Sequence, residues 1–229
     1  MPNHCFNVIK APKRVLNQLY DGEKITFEKL IPMPKTMDLR EGTVIEDAIA
    51  YVISKMEEEE LLKYRLQFLQ KKLDLPKSFW NTLAKTFSKD DIEKLEEKAK
   101  KYIPNEEEKV LGIKSFHELG VRYLNNAYIY GSLTWYDWSI KNWGTKWDAY
   151  ECNGTPEDGE LSFLTAWAAP VKIMEAIFKR YPKQKIEWEY ETEGDDYKVK
   201  VFSDGKGNVL EQKERILTEE SEENEEEEE

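Results

Sequence analysis

Between Ile186 and Val201 the apolar residues change sides at every step. Ile186, Trp188 and Tyr190 alternate with Lys185, Glu187, Glu189 and Glu191; after Gly194-Asp195, Tyr197, Val199 and Val201 alternate with Lys198 and Lys200. Side chains on a strand point to opposite faces in turn, so this pattern specifies a hairpin with one dry face and one wet face. A half-wet antiparallel sheet needs a layer of helices over its dry side. That requirement constrains the rest of the chain. Gly205 and Gly207 turn it again toward Val209 and Leu210, read as a weak edge strand.

Other strand signals stand far away in sequence. Cys5, Phe6, Val8 and Ile9 form a first strand stopped before Pro12, and Val15, Leu16 and Leu19 mark one face of a short helix. The stretch from Ile25 to Met33 reads as a second strand with an extended exit at Pro32 and Pro34. Leu161, Phe163 and Thr165 alternate into Trp167, and Pro170 precedes a helix carrying Val171, Met174, Ala176, Ile177 and Tyr181.

Helical periodicity dominates between these ends. Thr43 with Glu46 has capping-box spacing before Val44, Ile45, Ala48, Ile49, Val52 and Ile53. Leu61, Leu62, Tyr64, Phe68 and Leu69 continue it, with Glu57–Glu60 as a solvated face. Phe79, Trp80, Leu83 and Phe87 mark a third helix, and Ser88 with Asp91 opens a fourth that runs to Pro104. Ser115 with Glu118 opens a longer helix in which Phe116, Leu119, Tyr123, Ala127 and Tyr130 share a side. Gly131, costing about 1 kcal/mol inside a helix, marks its end or a close contact.

Two strand–helix–strand units around a helical block predict an α+β, ferredoxin-like antiparallel sheet with helices on one face. The expected division is 1–42 with 111–212 for the sheet domain, 43–110 for an inserted helical subdomain, and 213–229 for a disordered acidic tail. The net charge of −12 owes −9 to the nine Glu of 219–229, which leaves −3 for the remainder. An acidic tail repels nucleic acid, and the final hairpin places Trp188, Tyr190, Tyr197 and Phe202 on or near one alternation set. Its other face is mixed in charge, so direct DNA or RNA binding is not expected. No run of 18 apolar residues predicts a membrane span, no secretory signal opens the chain, and two cysteines make no disulfide scaffold; a reducing cytoplasm is the expected compartment.

Tryptophan and tyrosine concentrate between 123 and 150. Trp135, Trp138, Trp143, Lys146, Trp147 and Asp148, with Trp167 downstream, are the candidate partner-binding or structural residues. In Asn142–Tyr150, Gly144 permits a turn, Thr145 caps locally, and Lys146 between two indoles suits an anion. The spacing of a phosphate-binding Walker loop is absent. The indoles either plug a sheet–helix junction or present a binding surface.

Catalytic readings are weaker. His4, Cys5 and Cys152 lack a metal ligand's spacing, and adjacent strand residues face opposite ways, so no metal and no cofactor is expected. Asp148 and Glu151 raise rather than lower the pKa of Cys152, which argues against a nucleophile. Asp137, Asp148 and Glu151 beside aromatic platforms leave a small carboxylate-dependent hydrolase or ligand-binding enzyme as the alternative function.

Met1-Pro2-Asn3-His4-Cys5-Phe6-Asn7, Asn142-Trp143-Gly144-Thr145-Lys146-Trp147-Asp148-Ala149 and Phe163-Leu164-Thr165-Ala166-Trp167-Ala168-Ala169-Pro170 follow in that order. Together they resemble the YubB-type proteins of phages and conjugative plasmids, with His4 where many relatives carry tryptophan. The resemblance implies a ferredoxin-like domain, a mobile-element origin and no transferable catalytic residue. It covers roughly 1–40 and 120–200, leaving the inserted helices and tail outside. The expectation is a non-enzymatic module that binds a host or phage protein, and an acidic surface suits blocking a host defence or nucleic-acid enzyme.

Overall fold

The structure is a computed structural model that describes residues 3–203 and 206–215. In chain order its elements are β1 (His4–Lys10), α1 (Lys13–Leu16), α2 (Val44–Ile53), α3 (Glu58–Lys71), α4 (Lys77–Ala84), α5 (Lys89–Lys101), α6 (Glu106–Val110), α7 (Phe116–Tyr130) and α8 (Trp135–Trp143). There follow β2 (Tyr150–Asn153), β3 (Glu160–Ala166), α9 (Val171–Arg180), β4 (Glu187–Thr192), β5 (Tyr197–Ser203) and β6 (Val209–Arg215). The chain divides into a sheet unit, 1–32 with 139–229, and a helical unit, 33–138.

In the sheet unit the strand order is β2-β3-β1-β4-β5-β6. Every named pair is antiparallel. The first four strands form the ferredoxin-like arrangement: β1 lies between β3 and β4, which α9 joins, and β2 flanks β3. The alternating hairpin extends this core by β5 and β6. Cys5, Ile9, Leu161, Phe163, Trp188, Val199 and Val201 face inward with Ile173, Met174, Ile177 and Phe178 of α9, all buried. Trp143, Phe27, Phe163 and Trp188 form an aromatic spine, with successive edge-to-face centroids 5.9, 5.7 and 5.9 Å apart. Asn7 is buried in the middle strand and is fully engaged. It donates to the Cys5 carbonyl at 3.0 Å and to Thr165 Oγ1 at 3.1 Å, and accepts from the Trp188 indole at 3.3 Å.

Three sequence expectations change here. Ile25–Met33 is not a sheet strand: Thr26 Oγ1 accepts the Glu28 N–H and caps a single turn of 3₁₀ helix, Phe27–Lys29. The second strand of the fold is Tyr150–Asn153, reached after the helical unit. Phe202 leaves the Trp188 set: Trp188 pairs with the buried Val201, so the next residue turns to the other face, where Phe202 stands exposed.

The helical unit has its own core. Ala48, Ile49, Val52 and Ile53 of α2 pack with Phe116, Leu119, Tyr123 and Ala127 of α7, joined by Phe68, Phe79 and Leu83. Gly120 permits the close α2–α7 crossing, since a Cβ there would stand 2.2 Å from the Ala48 carbonyl oxygen. Because α7 belongs to this core, the unit spans 33–138 rather than the expected 43–110. Capping boxes form at Ser88 with Asp91 and at Ser115 with Glu118. Thr43 makes none, its backbone being already helical. Tyr130 turns outward instead of joining the α7 core. Gly131 ends α7 in the left-handed conformation, φ 67°.

Position 213, where a disordered tail is expected to begin, lies inside β6. The rest of that tail, 216–229, and the first two residues of the opening motif fall outside the described residues.

Candidate partner-binding surface

The segment after α8 is fixed by its own small side chains. Gly144 adopts φ 87°, and a Cβ there would stand 2.8 Å from the backbone nitrogen of Val171, so glycine lets this turn lie against the start of α9. Thr145 is buried and donates to the Ala166 carbonyl at 2.9 Å. The Ser139 hydroxyl donates to the Lys146 carbonyl at 2.7 Å. Asp148 accepts from the Thr26 hydroxyl at 2.6 Å and from the N–H groups of Phe27 and Ala149 at 2.7 and 2.8 Å. Trp143 is buried, and its indole N–H donates to the Ile31 carbonyl at 2.9 Å.

This scaffold presents Trp147. Its indole is 39% exposed, with Lys146 Nζ 4.7 Å from the ring centroid and the Tyr150 ring edge-on at 6.4 Å. The Tyr150 hydroxyl and His4 Nδ1 share a 2.8 Å hydrogen bond whose direction follows the imidazole tautomer. Register places His4 opposite Ala166 and Tyr150 opposite Leu164, so both stand at the end of the sheet where β3 finishes. Trp167 is the next residue. It is 53% exposed and sits at φ 71°, a left-handed conformation unusual for a bulky side chain. Its N–H donates to the Asn3 carbonyl at 2.9 Å, and Thr165 Oγ1 donates to the Ala168 carbonyl at 2.8 Å, bracketing the turn.

The seven candidate residues therefore separate by role. Trp143 and Asp148 hold the scaffold, while Lys146, Trp147 and Trp167 face outward from the sheet unit. Trp135 and Trp138 belong to the helical unit. Trp138 is buried, and Trp135 is half-buried with its ring edge-on to Tyr136 at 5.8 Å. Sequence reasoning did not include His4 and Tyr150 in the surface. Their pairing depends on β2, whose four residues carry too little alternation to be recognised.

Among the described residues, no group of three or more His, Cys, Asp or Glu is placed to hold a metal ion. Burial pushes the Cys5 thiol up despite hydrogen bonds from Thr192, Thr165 and Asn7. Burial also raises the Cys152 thiol, with the Asp148 carboxylate adding to the effect. Asp137 lies in the first turn of α8 and accepts the Leu133 N–H at 3.4 Å. An open groove of about 500 Å³ runs along α7, but its one carboxylate, Glu118, is occupied by the Lys114 and Ser115 N–H groups.

Residues 146–229 match a family model described as the ferredoxin-like domain in Api92-like protein. The domain type expected from the resemblance and the observed strand order agree with that description. A crystal structure of protein api92 from Yersinia pseudotuberculosis is similar at 11% identity and a TM-score of 0.43, over 95% of this chain and 99% of that one. No curated protein matches the chain. No helix of the described residues is long and apolar enough to cross a membrane.

Proposed function

We propose that this chain is a non-enzymatic protein-binding module whose contact surface is the aromatic end of the sheet, centred on Trp147 and Trp167. One observation carries the reading: two half-exposed indoles are mounted on backbone held by buried and part-buried hydrogen bonds, and one of them occupies a strained conformation. Exposed tryptophan on a preorganised scaffold matches the composition of interface hot spots, which combine a large apolar area with a donor. Backbone strain retained at an exposed aromatic points the same way. Lys146 adds a cation at the rim, which favours a partner with acidic or carbonyl-rich contacts there.

The partner is a host or phage protein in the host cytoplasm, and inhibition of a host defence or nucleic-acid enzyme is the role that a mobile-element origin suggests. The family description supports the domain type and names no activity. The alternative of a small hydrolase draws no support from Asp148, because its carboxylate is already taken up by Thr26, Phe27 and Ala149. The test is affinity capture from host cytoplasm with the intact chain and the Trp147→Ala/Trp167→Ala variant, followed by titration with the purified captured protein. Loss of binding in a folded variant supports the surface. Unchanged binding places recognition elsewhere.

A further inference from the structure

α3 carries two apolar stripes and uses only one internally. Leu61, Tyr64 and Phe68 join the helical core, with Phe68 stacked among Phe79 and Tyr128 at centroid distances of 5.3 and 5.5 Å. Leu62, Leu66 and Leu69 stand on another side of the helix and are 56, 48 and 59% exposed. Their spacing of four and then three residues is the d-a-d pattern of a helix–helix seam. A helix held in place while showing a second seam is built to receive another helix.

The charge pattern identifies which one. The N-terminal end of α3 is acidic, with Glu57, Glu58 and Glu60 beside a Glu59 already paired with Lys63 at 2.8 Å, and its C-terminal end offers Lys72, next to a Lys71 that is held by Tyr128. Such a helix complements its own reverse. A two-fold axis beside Leu66 sets Leu62 against Leu69 of a second helix and brings each acidic end beside the other's basic end. Arg65 and Lys71 also fix α3 to the body: Arg65 Nε donates to the Leu83 carbonyl at 2.6 Å, and Lys71 Nζ to the Tyr128 carbonyl at 2.7 Å. The seam is thus presented on an ordered surface and loses little freedom on docking.

We infer that α3 is a self-association site, joining two copies of this chain through an antiparallel, two-fold helix pair centred on Leu66. This contact uses residues of the helical unit and none of those proposed above for the partner contact.

Sedimentation equilibrium of the full chain, from micromolar to submillimolar concentration, tests it. A monomer–dimer equilibrium is expected, with Leu66→Glu weakening it at least tenfold, an order-of-magnitude figure (~1.4 kcal/mol or more). Higher salt weakens it too, because the paired ends are exposed. Two charge variants guard against a folding defect in Leu66→Glu. Glu58→Lys/Glu60→Lys reverses the charge of the acidic end, and Lys72→Glu reverses that of the basic end while sparing Lys71, which holds α3 to the body. Each alone is expected to stay monomeric, and an equimolar mixture is expected to form a heterodimer. A wild-type chain that remains monomeric throughout, a Leu66→Glu dimer as tight as wild type, or a mixture that does not associate overturns the inference.

Discussion

Asp148 accepts the backbone N–H of Phe27 at 2.7 Å, and the same carboxylate takes the Thr26 hydroxyl at 2.6 Å. One side chain thereby ties the turn after α8 to the residue at the centre of the aromatic spine. Asp148→Ala leaves a buried donor without a partner and is expected to cost about 2–4 kcal/mol, measured by chemical denaturation. Unchanged stability would show that the clasp is dispensable.

Trp143 and Trp147 are four residues apart and are expected to respond in opposite ways. Trp143→Ala removes a buried indole and should cost about 3–5 kcal/mol. Trp147→Ala should change stability by about 1 kcal/mol or less, because its ring is part-exposed and outside the buried core. Equal losses in the two denaturation curves would mean that Trp147 is a packing residue and not a contact.

Within the helical unit, Glu108 is fully buried against Arg40, with Nε to Oε1 at 2.6 Å and a second contact from Nη2. Tyr102 Oη and the Asn105 N–H also donate to it, at 2.8 and 3.0 Å. Glu108→Ala strands the guanidinium and should cost about 3–5 kcal/mol. A loss below about 1 kcal/mol in urea unfolding would show that solvent replaces the pair.

The same group gives a pH dependence. Burial pushes the Glu108 carboxyl up, but Arg40, the Asn105 N–H and Tyr102 outweigh it and hold it below the ordinary 4.5. The Ser88 backbone N–H leads the causes that lower Asp91 from 3.8 to about 2. Both carboxyls are more acidic folded than unfolded. Their stabilisation is complete above 4.5 and 3.8 and is lost as pH falls through the lower folded values. Melting temperature should decline below about pH 4.5, and less steeply in Glu108→Gln. A flat profile down to pH 3 would contradict this assignment.

Thiol chemistry offers an independent check. Cys5 is buried and both thiols are raised by burial, so a disulfide reagent at neutral pH should label Cys5 only on unfolding and Cys152 slowly. Rapid labelling of both in the native protein would show that the β1–β3 region opens readily.

Much of this architecture was legible because periodicity is physical: strands β3 to β5 and helices α2 to α5, α7 and α9 each bury one repeating face. Ser88 and Ser115 announced their capping boxes, yet Thr43 with the same spacing formed none, since a helical backbone at the cap withdraws the side-chain bond. α8 stayed hidden because Trp135, Trp138, Ile140 and Trp143 do not fall on one face; Ile140 is exposed and Trp143 buried. α6 was missed because it is one short turn, although Asn105 and Glu108 carry its capping box. β2 was missed for its length and for Glu151 at φ 48°, which breaks its register against β3. The Trp-rich segment was recognised as special, but composition alone does not separate Trp143 in the core from Trp147 and Trp167 at the surface. That separation depends on which carbonyl an indole meets and on a backbone angle, both products of the tertiary fold.

The central claim is that the exposed indoles at the sheet end make the partner contact. Its most direct test is the dissociation constant of the captured partner, measured by isothermal titration against the wild-type chain and against Trp147→Ala/Trp167→Ala, with circular dichroism confirming that both are folded. The account predicts that losing both indoles weakens binding by about a hundredfold or more, the range of two hot-spot truncations. Equal affinity for the two proteins would contradict it and move recognition to another surface of the chain.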